Sequence, residues 1–298
     1  AKPYVEYKDF PAHAGEVVQM KGIIHRIREM TGFAFVIIRT ARGTVQCVYS
    51  PDFSEYRMGE EVVEGCSVKL TGKIVKDETR EDRYEMQIHG IEVLSSPAEQ
   101  MPIVINKKQL DNIPIDLNLN LRPVTLRNPK ERAVFKIQEG IARGFREFLC
   151  SQNFTEIRTP KICAQGAEGG ANIFKLDYFG KQVFLAQSPQ FYKQMLVPVY
   201  ERVFEIGPVF RAEHHDTSRH LNEYISMDFE MGFIDSFYDI MNMETGALKY
   251  IMELLQREYA EEIALLNAQL PAIGEIPVVK FMDAKEIITK KFKKKITD

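Results

Sequence analysis

The sequence predicts two joined folds: an all-β barrel of five strands over the first hundred residues, then an α+β domain whose strands run antiparallel. Three observations carry this. Residues 1–96 are rich in β-branched residues broken by short turn signals. Residues 97–130 hold Pro97, Pro102, Pro114, Pro123 and Pro129 with few periodic apolar positions. Beyond them, apolar residues recur at helical spacing between short strand-like runs.

In the first segment, strands are expected at Val17–Ile27, Phe33–Arg39, Gly43–Tyr49, Ser67–Val75 and Tyr84–Leu94, with a short irregular or helical piece at Phe53–Met58. Ser67–Val75 alternates, Val68, Leu70 and Ile74 on one face and Lys69, Thr71 and Lys73 on the other, the mark of a half-buried strand. Five strands in this length suit an OB barrel, whose open face binds single-stranded nucleic acid, although SH3-like barrels and half-sandwiches share the pattern. The proline-bearing stretch reads as a hinge between domains at 1–96 and 131–298. Val134, Ile137, Ile141, Phe145 and Phe148 then mark an amphipathic helix from about Glu131 to Ser151. A second helix is expected over Phe237–Tyr259, its buried side formed by Ile240, Met241, Ala247, Leu248, Ile251 and Leu255. Strand-like pieces lie between, at Val183–Ala186, Val203–Ile206 and Glu223–Phe233. Helices mixed with hairpin-connected strands argue for α+β rather than a repeated βαβ pattern.

Composition bounds the function. A chain of 298 residues, 45% hydrophobic and 27% charged, can bury two cores. Its net charge of -3 gives no global sign of a nucleic-acid partner, and residues 1–96 carry 13 Lys and Arg against 15 Asp and Glu, so any RNA contact must rest on position rather than excess charge. Cys47, Cys66, Cys150 and Cys163 are scattered without metal-type pairing and read as free thiols. No run is long enough for a membrane span, and the start lacks the apolar core of a signal peptide, so a cytoplasmic protein without a membrane partner is expected.

Chemistry concentrates in Glu201–Phe233, where Phe210-Arg211-Ala212-Glu213 is followed by a polar loop, His214–Ser218, and by Arg219-His220-Leu221-Asn222-Glu223-Tyr224. An arginine at a strand end can neutralise an α-phosphate as it becomes pentacovalent. A carboxylate two residues on shares its face and can accept from an exocyclic amine. The loop can bring cations to outer phosphates, and an aromatic on the return strand can stack on a purine. Each residue alone reads more readily as an exposed ion on an ordinary hairpin; the spacing of the set is what points to a nucleotide. His214 and His215 are expected to face solvent rather than to hold zinc, and no metal site is assigned.

This stretch resembles motif 2 of the class II aminoacyl-tRNA synthetases, and Asn153-Phe154-Thr155-Glu156-Ile157-Arg158-Thr159-Pro160 looks like motif 1, which forms the dimer interface in that class. Glu168-Gly169-Gly170-Ala171 and Ala186-Gln187-Ser188-Pro189-Gln190-Phe191-Tyr192-Lys193-Gln194 are similar to the amino-acid-binding segments of aspartyl-tRNA synthetases of archaeal and eukaryotic type. Asparaginyl enzymes share motifs 1 and 2 but usually depart from the Gln-Ser-Pro-Gln-x-x-Lys pattern, so aspartate is favoured. The resemblance implies an aspartate–tRNA ligase, a homodimer meeting near Pro160, that uses ATP and Mg2+ to make aspartyl-adenylate and passes it to tRNA-Asp and possibly tRNA-Asn. It makes Glu168 and Asp228 partners of the substrate ammonium, and Gln190 and Lys193 holders of its carboxylates. Arg211 would contact the α-phosphate, Glu213 the adenine amino group, Arg219 and His220 the outer phosphates, and Tyr224 the adenine ring. In the barrel, Arg28, Phe35, Gln46 and Glu85 fall at positions resembling the family's anticodon contacts; without the resemblance Phe35 reads as core.

The chain departs from the family at Met30-Thr31 and Thr40-Ala41, which replace acidic and glycine residues, and at Asp116-Leu117-Asn118-Leu119, which replaces an arginine-containing pattern. It closes at Lys285–Asp298, inside an expected helix and before motif 3, so the magnesium ligands and the arginine that reads the substrate side chain are expected downstream. A tRNA-binding paralogue or fragment without full ligase activity, and an asparaginyl enzyme, are the alternatives. A relative making an amino-acid amide fits less well, since such proteins generally lack the barrel.

Overall fold

The computed structural model describes residues 3–77, 83–106, 113–166, 173–215, 217 and 220–293, and divides into two compact units, Ala1–Arg132 and Ala133–Asp298. In the first, β1 (Val17–Met30), β2 (Phe33–Thr40), β3 (Gly43–Tyr49), β4 (Ser67–Lys76) and β5 (Tyr84–Ser95) close a barrel in the order β1-β2-β3-β5-β4. Closure depends on the length of β1. Its first half pairs with β4 and its second with β2, and a bulge between Ile24 and Arg26 bends it from one to the other. The alternation expected of β4 holds, with Val68, Leu70 and Ile74 fully enclosed. Inward residues of every strand, among them Val18, Val36, Ile38, Val45, Cys47, Met86 and Ile88, meet in one core, into which a 3-10 turn at Tyr7–His13 sets Phe10.

At the β4–β5 irregularity the backbones leave no room for a side chain: a Cβ on Gly72 would lie 2.3 Å from the Gln87 carbonyl oxygen. Residues 53–58 are irregular. The stretch expected to be a plain hinge contains two short helices, α1 (Ile115–Asn120) and α2 (Arg122–Thr125), too brief to show a helical period.

In the second unit α3 (Pro129–Ser151) and α5 (Phe237–Glu258) pack side by side. Glycines on α3 make the approach close. A Cβ on Gly140 would meet Leu255 at 2.6 Å, and one on Gly144 would meet Ile251 at 3.1 Å. Ser236 caps α5, its side chain accepting from the Tyr238 N–H while Asp239 accepts from the Ser236 N–H. Of the expected α3 stripe, Phe145 is buried, but Val134 is 45% exposed.

Against these helices lies a sheet ordered β11-β10-β6, built from β6 (Thr155–Glu156), β10 (Arg202–Phe210) and β11 (Glu223–Met231). The β10–β11 hairpin is antiparallel, as expected; β6 instead joins β10 in parallel. A smaller sheet holds β7 (Ile162–Cys163), β9 (Lys181–Leu185) and β8 (Lys175–Tyr178), and α4 (Gln190–Tyr200) leads into β10. α6 (Ala260–Leu266) and α7 (Phe281–Phe292) follow α5. The four cysteines are free thiols. Among the described residues no helix is long and apolar enough to cross a membrane.

Candidate functional site

Alternation along β10 and β11 gives their sheet two unlike faces. Phe204, Phe229 and Met231 point to the α3–α5 core, Phe204 edge-on to Phe145 and Phe229 edge-on to Phe154. Residues directly opposite share a face, so Glu205, Gly207 and Val209 of β10 lie with Asp228, Ser226 and Tyr224 of β11, and Glu230 continues the row. This second face is polar. Its middle holds Gly207, where a Cβ would come within 3.3 Å of the Glu205 and Lys161 side chains, so the absent side chain lets that pair lie against the strand.

The first turn of α4 supplies the cation. Lys193 is buried, with Nζ 3.3 Å from Asp228 Oδ1 and 3.6 Å from Glu230 Oε2, while Gln190 Nε2 donates to both Glu230 oxygens at 3.4 and 3.3 Å. Ser226 donates to the other Asp228 oxygen. One lysine thus serves two carboxylates that stand two residues apart on one strand face. Beneath them Glu205, 2% exposed, accepts from the Thr159 N–H at 2.8 Å, from the Thr159 hydroxyl at 2.7 Å and from Lys161 at 2.8 Å. These bonds tie the segment ending at Pro160, itself exposed, to the floor of the polar face.

At the far end of the row Arg211 and Glu213 follow β10 at the same alternation. The Arg211 N–H donates to the Asn222 carbonyl at 2.9 Å, and the Asn222 amide, oriented to suit its neighbours, donates to the carbonyls of Arg211 and Glu213, each at 3.2 Å. His220 Nε2 lies 3.5 Å from Glu213 Oε2 and its Nδ1 2.6 Å from the Thr217 hydroxyl. His214 and His215 are exposed. Tyr224, Gln190, Lys193 and Asp228 therefore gather along one polar face, with Arg211, Glu213 and His220 just past the strand ends. Glu168 and Arg219 lie outside the described residues.

Glu230, Glu205, Lys161 and Gly207 also belong to this face and were not singled out from the sequence. Glu230 could have been found from the step of two beyond Asp228, and Glu205 as a lone carboxylate in an apolar strand. Lys161 gives no local signal, because its partner is 44 residues away. Among the described residues no three His, Cys, Asp or Glu side chains gather to hold a metal ion, so the magnesium implied by the family has no ligand set within them.

The barrel carries a second polar face. Arg28 of β1 pairs with Phe35 of β2, and Ile37 of β2 with Gln46 of β3, all pointing away from the core. Gln46 Nε2 donates to Glu85 Oε2 of β5 at 3.1 Å. The Arg28 guanidinium sits over the Phe35 ring at 5.5 Å, and Phe33 meets it edge-on at 5.2 Å. Four residues from four strands are thus neighbours on one outward surface, and Phe35 is half-buried there rather than in the core.

Comparison with known proteins returns two family models. Residues 114–296 match the class II tRNA synthetases (D, K and N), and residues 18–94 match the OB-fold nucleic acid binding domain. The chain is 42% identical over 286 residues to an aspartate–tRNA(Asp/Asn) ligase of Deinococcus radiodurans and 40% identical over 282 residues to one of Thermus thermophilus, with 96% and 94% of the chain aligned. It spans 64% and 65% of the lengths of these relatives. Among solved structures, asparaginyl-tRNA synthetase of Pyrococcus horikoshii complexed with asparaginyl-adenylate superposes on 98% of the chain with a TM-score of 0.83 at 27% identity, 67% of that protein being covered.

Proposed function

The chain belongs to the class II tRNA synthetases of the D, K and N group, and from that premise we propose that it is the anticodon-reading and nucleotide-activating part of an aspartate–tRNA ligase. The observation that carries the reading is the single polar face on which a buried lysine stands between two carboxylates, with an arginine just past the strand end. Such an arrangement can bind a small zwitterion at one end and a nucleotide at the other.

In this reading the substrate ammonium takes the place of the Lys193 ammonium beside Asp228, and Lys193, a compact point charge, turns with Gln190 to the substrate carboxylates. Glu168 adds a second partner for the ammonium. Arg211 neutralises the α-phosphate, Glu213 accepts from the adenine amine, Tyr224 stacks on its ring, and Arg219 and His220 hold the outer phosphates. ATP would supply the adenylyl group, joined through its α-phosphate to the aspartate carboxylate as pyrophosphate leaves, and the protein contributes position and charge without a covalent intermediate. The reading for ATP is supported by Arg211 and Glu213 following the end of β10 beside Tyr224 near the start of the return strand. Magnesium is part of the proposal on family grounds alone. The reading is tested by amino-acid-dependent exchange of pyrophosphate into ATP by full-length protein.

The proposed setting is cytoplasmic, with tRNA-Asp and possibly tRNA-Asn as partners, and the proposed assembly is a homodimer. Val134 and Phe135 of α3 are 45% and 41% exposed and Ile162, just past Pro160, is 48% exposed, apolar surface that a second copy can cover. Sedimentation at micromolar concentration should give a dimer; monomer alone would count against it.

On the barrel, Phe35 stacks an unpaired base while Gln46 and Glu85 read base edges and Arg28 a phosphate. Stacking on an aromatic is worth roughly 1–3 kcal/mol per base, so Phe35→Ala should weaken tRNA binding about 5- to 150-fold. Glu85→Ala should instead relax discrimination at one anticodon base with little loss of affinity, because a carboxylate supplies no attraction to phosphates. Titration of anticodon variants at one fixed salt concentration separates the two; equal affinity of wild-type and both mutants for every variant would remove this face from anticodon reading.

A further inference from the structure

The barrel unit also encloses a cavity of about 510 Å3, lined on the barrel side by Ile24, His25, Arg39 and Val63 and on the other by residues of the segment 97–106, including Met101 and Ile103. None of its lining residues has been assigned a role above. Its walls are mostly apolar, with His25, Arg39, Glu64, Glu99, Gln100 and Asn106 as the polar exceptions, and among the described residues the charges that shift His25 and Arg39 are cationic. Burial, then Arg39, Arg132 and Arg26, push the His25 imidazole down to about 4; burial, then Arg127 and Arg132, push Arg39 down to about 10.

Two of these guanidinium groups reach backbone carbonyls. Arg39 donates to the Arg127 carbonyl at 3.3 Å and Arg132 to the Thr40 carbonyl at 2.8 Å. His25, 8% exposed, has its Nδ1 enclosed without a hydrogen-bond partner, and so does the Nε of Arg39. Two carboxylates border the cavity. The oxygens of Glu64 are engaged by the Ile27 N–H at 3.1 Å and the Asn106 amide at 2.7 Å, and Glu99 is exposed. Among the described residues neither His25 nor Arg39 pairs with a carboxylate. A partly buried guanidinium without a carboxylate partner is costly, and enclosed ring and guanidinium nitrogens without a hydrogen-bond partner mark places where another group can bond.

We propose that this cavity binds a small organic anion, its phosphate or carboxylate group set against His25 and Arg39 and its apolar body against Val63, Met101 and Ile103. The volume lies in the range of sites for small organic ligands, far above that of one inorganic ion, and the apolar walls ask for an apolar body. A free small molecule fits better than a phosphate of bound RNA, because His25 is enclosed between barrel and segment 97–106 rather than exposed along a groove. Both walls then meet through the ligand.

The binding is read at His25 itself, since an anion beside the imidazole favours its charged form. The experiment follows the His25 ring resonances of the full chain against pH at constant ionic strength in chloride, then with phenyl phosphate, with inorganic phosphate and with an anticodon stem-loop RNA. Phenyl phosphate should raise the His25 pKa by about one or more, equivalent to about tenfold tighter binding to the protonated form, and should saturate at lower concentration than inorganic phosphate. Arg39→Gln should weaken it at least about tenfold. Ile103→Trp, which fills the cavity and leaves the cations in place, should abolish the phenyl phosphate response, and it remains decisive if Arg39→Gln does not fold. An unmoved His25, a response to RNA alone, or a response unchanged in Ile103→Trp would overturn the proposal.

Discussion

Arg211→Ala in the full-length protein is expected to lower ATP–pyrophosphate exchange about 100- to 1000-fold and to leave tRNA affinity within a few-fold. The residue stands just past the end of β10, its backbone held by Asn222 on the return strand. In the proposed reaction the charge it offers is needed most as the α-phosphate becomes pentacovalent, so its loss raises the barrier more than it weakens ground-state binding. In the proposed reading the tRNA is held largely through the barrel, a separate unit, which is why binding should survive. Exchange within a few-fold of the parent would mean that Arg211 does not face the reacting phosphate.

The second large effect is expected at Lys193. It is buried between two carboxylates, and Lys193→Ala removes their shared counter-charge while opening a hole under α4. Removing one partner of a buried ion pair costs about 3–5 kcal/mol; Asp228 and Glu230 retain 22% and 30% side-chain exposure, so solvent screening places the expected loss at or below the lower end. Hydrogen bonds to charged groups contribute about 1.5–3 kcal/mol, so the preference for aspartate over asparagine should fall about 10- to 150-fold. Lys193→Met, which retains most of the volume, should recover the part of the loss due to the hole and not the selectivity. Urea unfolding and exchange with each amino acid measure the two effects separately. Unchanged selectivity in both variants would assign Lys193 a purely structural role.

Much of the barrel was legible because its strands follow the two-residue period closely. The expected Gly43–Tyr49 matches its strand end for end, and the others differ by one residue, except β1, which runs to Met30. The bulges that close the barrel were not legible, since Ile24–Arg26 and Thr71–Gly72 differ from ordinary strand sequence only in the partner they face. α4 was read as a binding segment and not as a helix. Pro198 inside it and a proline at its cap break the usual helical signals. β6 escaped because two residues show no period and its pairing with β10 is set by the tertiary fold.

Legibility in the site follows the same division. Tyr224 and Asp228 share a face because they stand an even number of positions apart, and strand period alone says so. That Lys193 stands between Asp228 and Glu230, or that Glu205 anchors Thr159 and Lys161, depends on contacts 35 to 46 residues apart in sequence. The resemblance to motif 2 directed attention to the right strands; the pairing of each charge had to come from the fold.

The central claim, that the polar face of β10 and β11 activates aspartate, is tested most directly by pyrophosphate exchange on full-length wild-type protein with aspartate and with asparagine as the only amino acid. The account predicts exchange with aspartate at least about 100-fold above that with asparagine, since a buried lysine paired with carboxylates suits a carboxylate side chain and leaves a carboxamide undercompensated. Exchange driven equally or better by asparagine, or by neither, would contradict it.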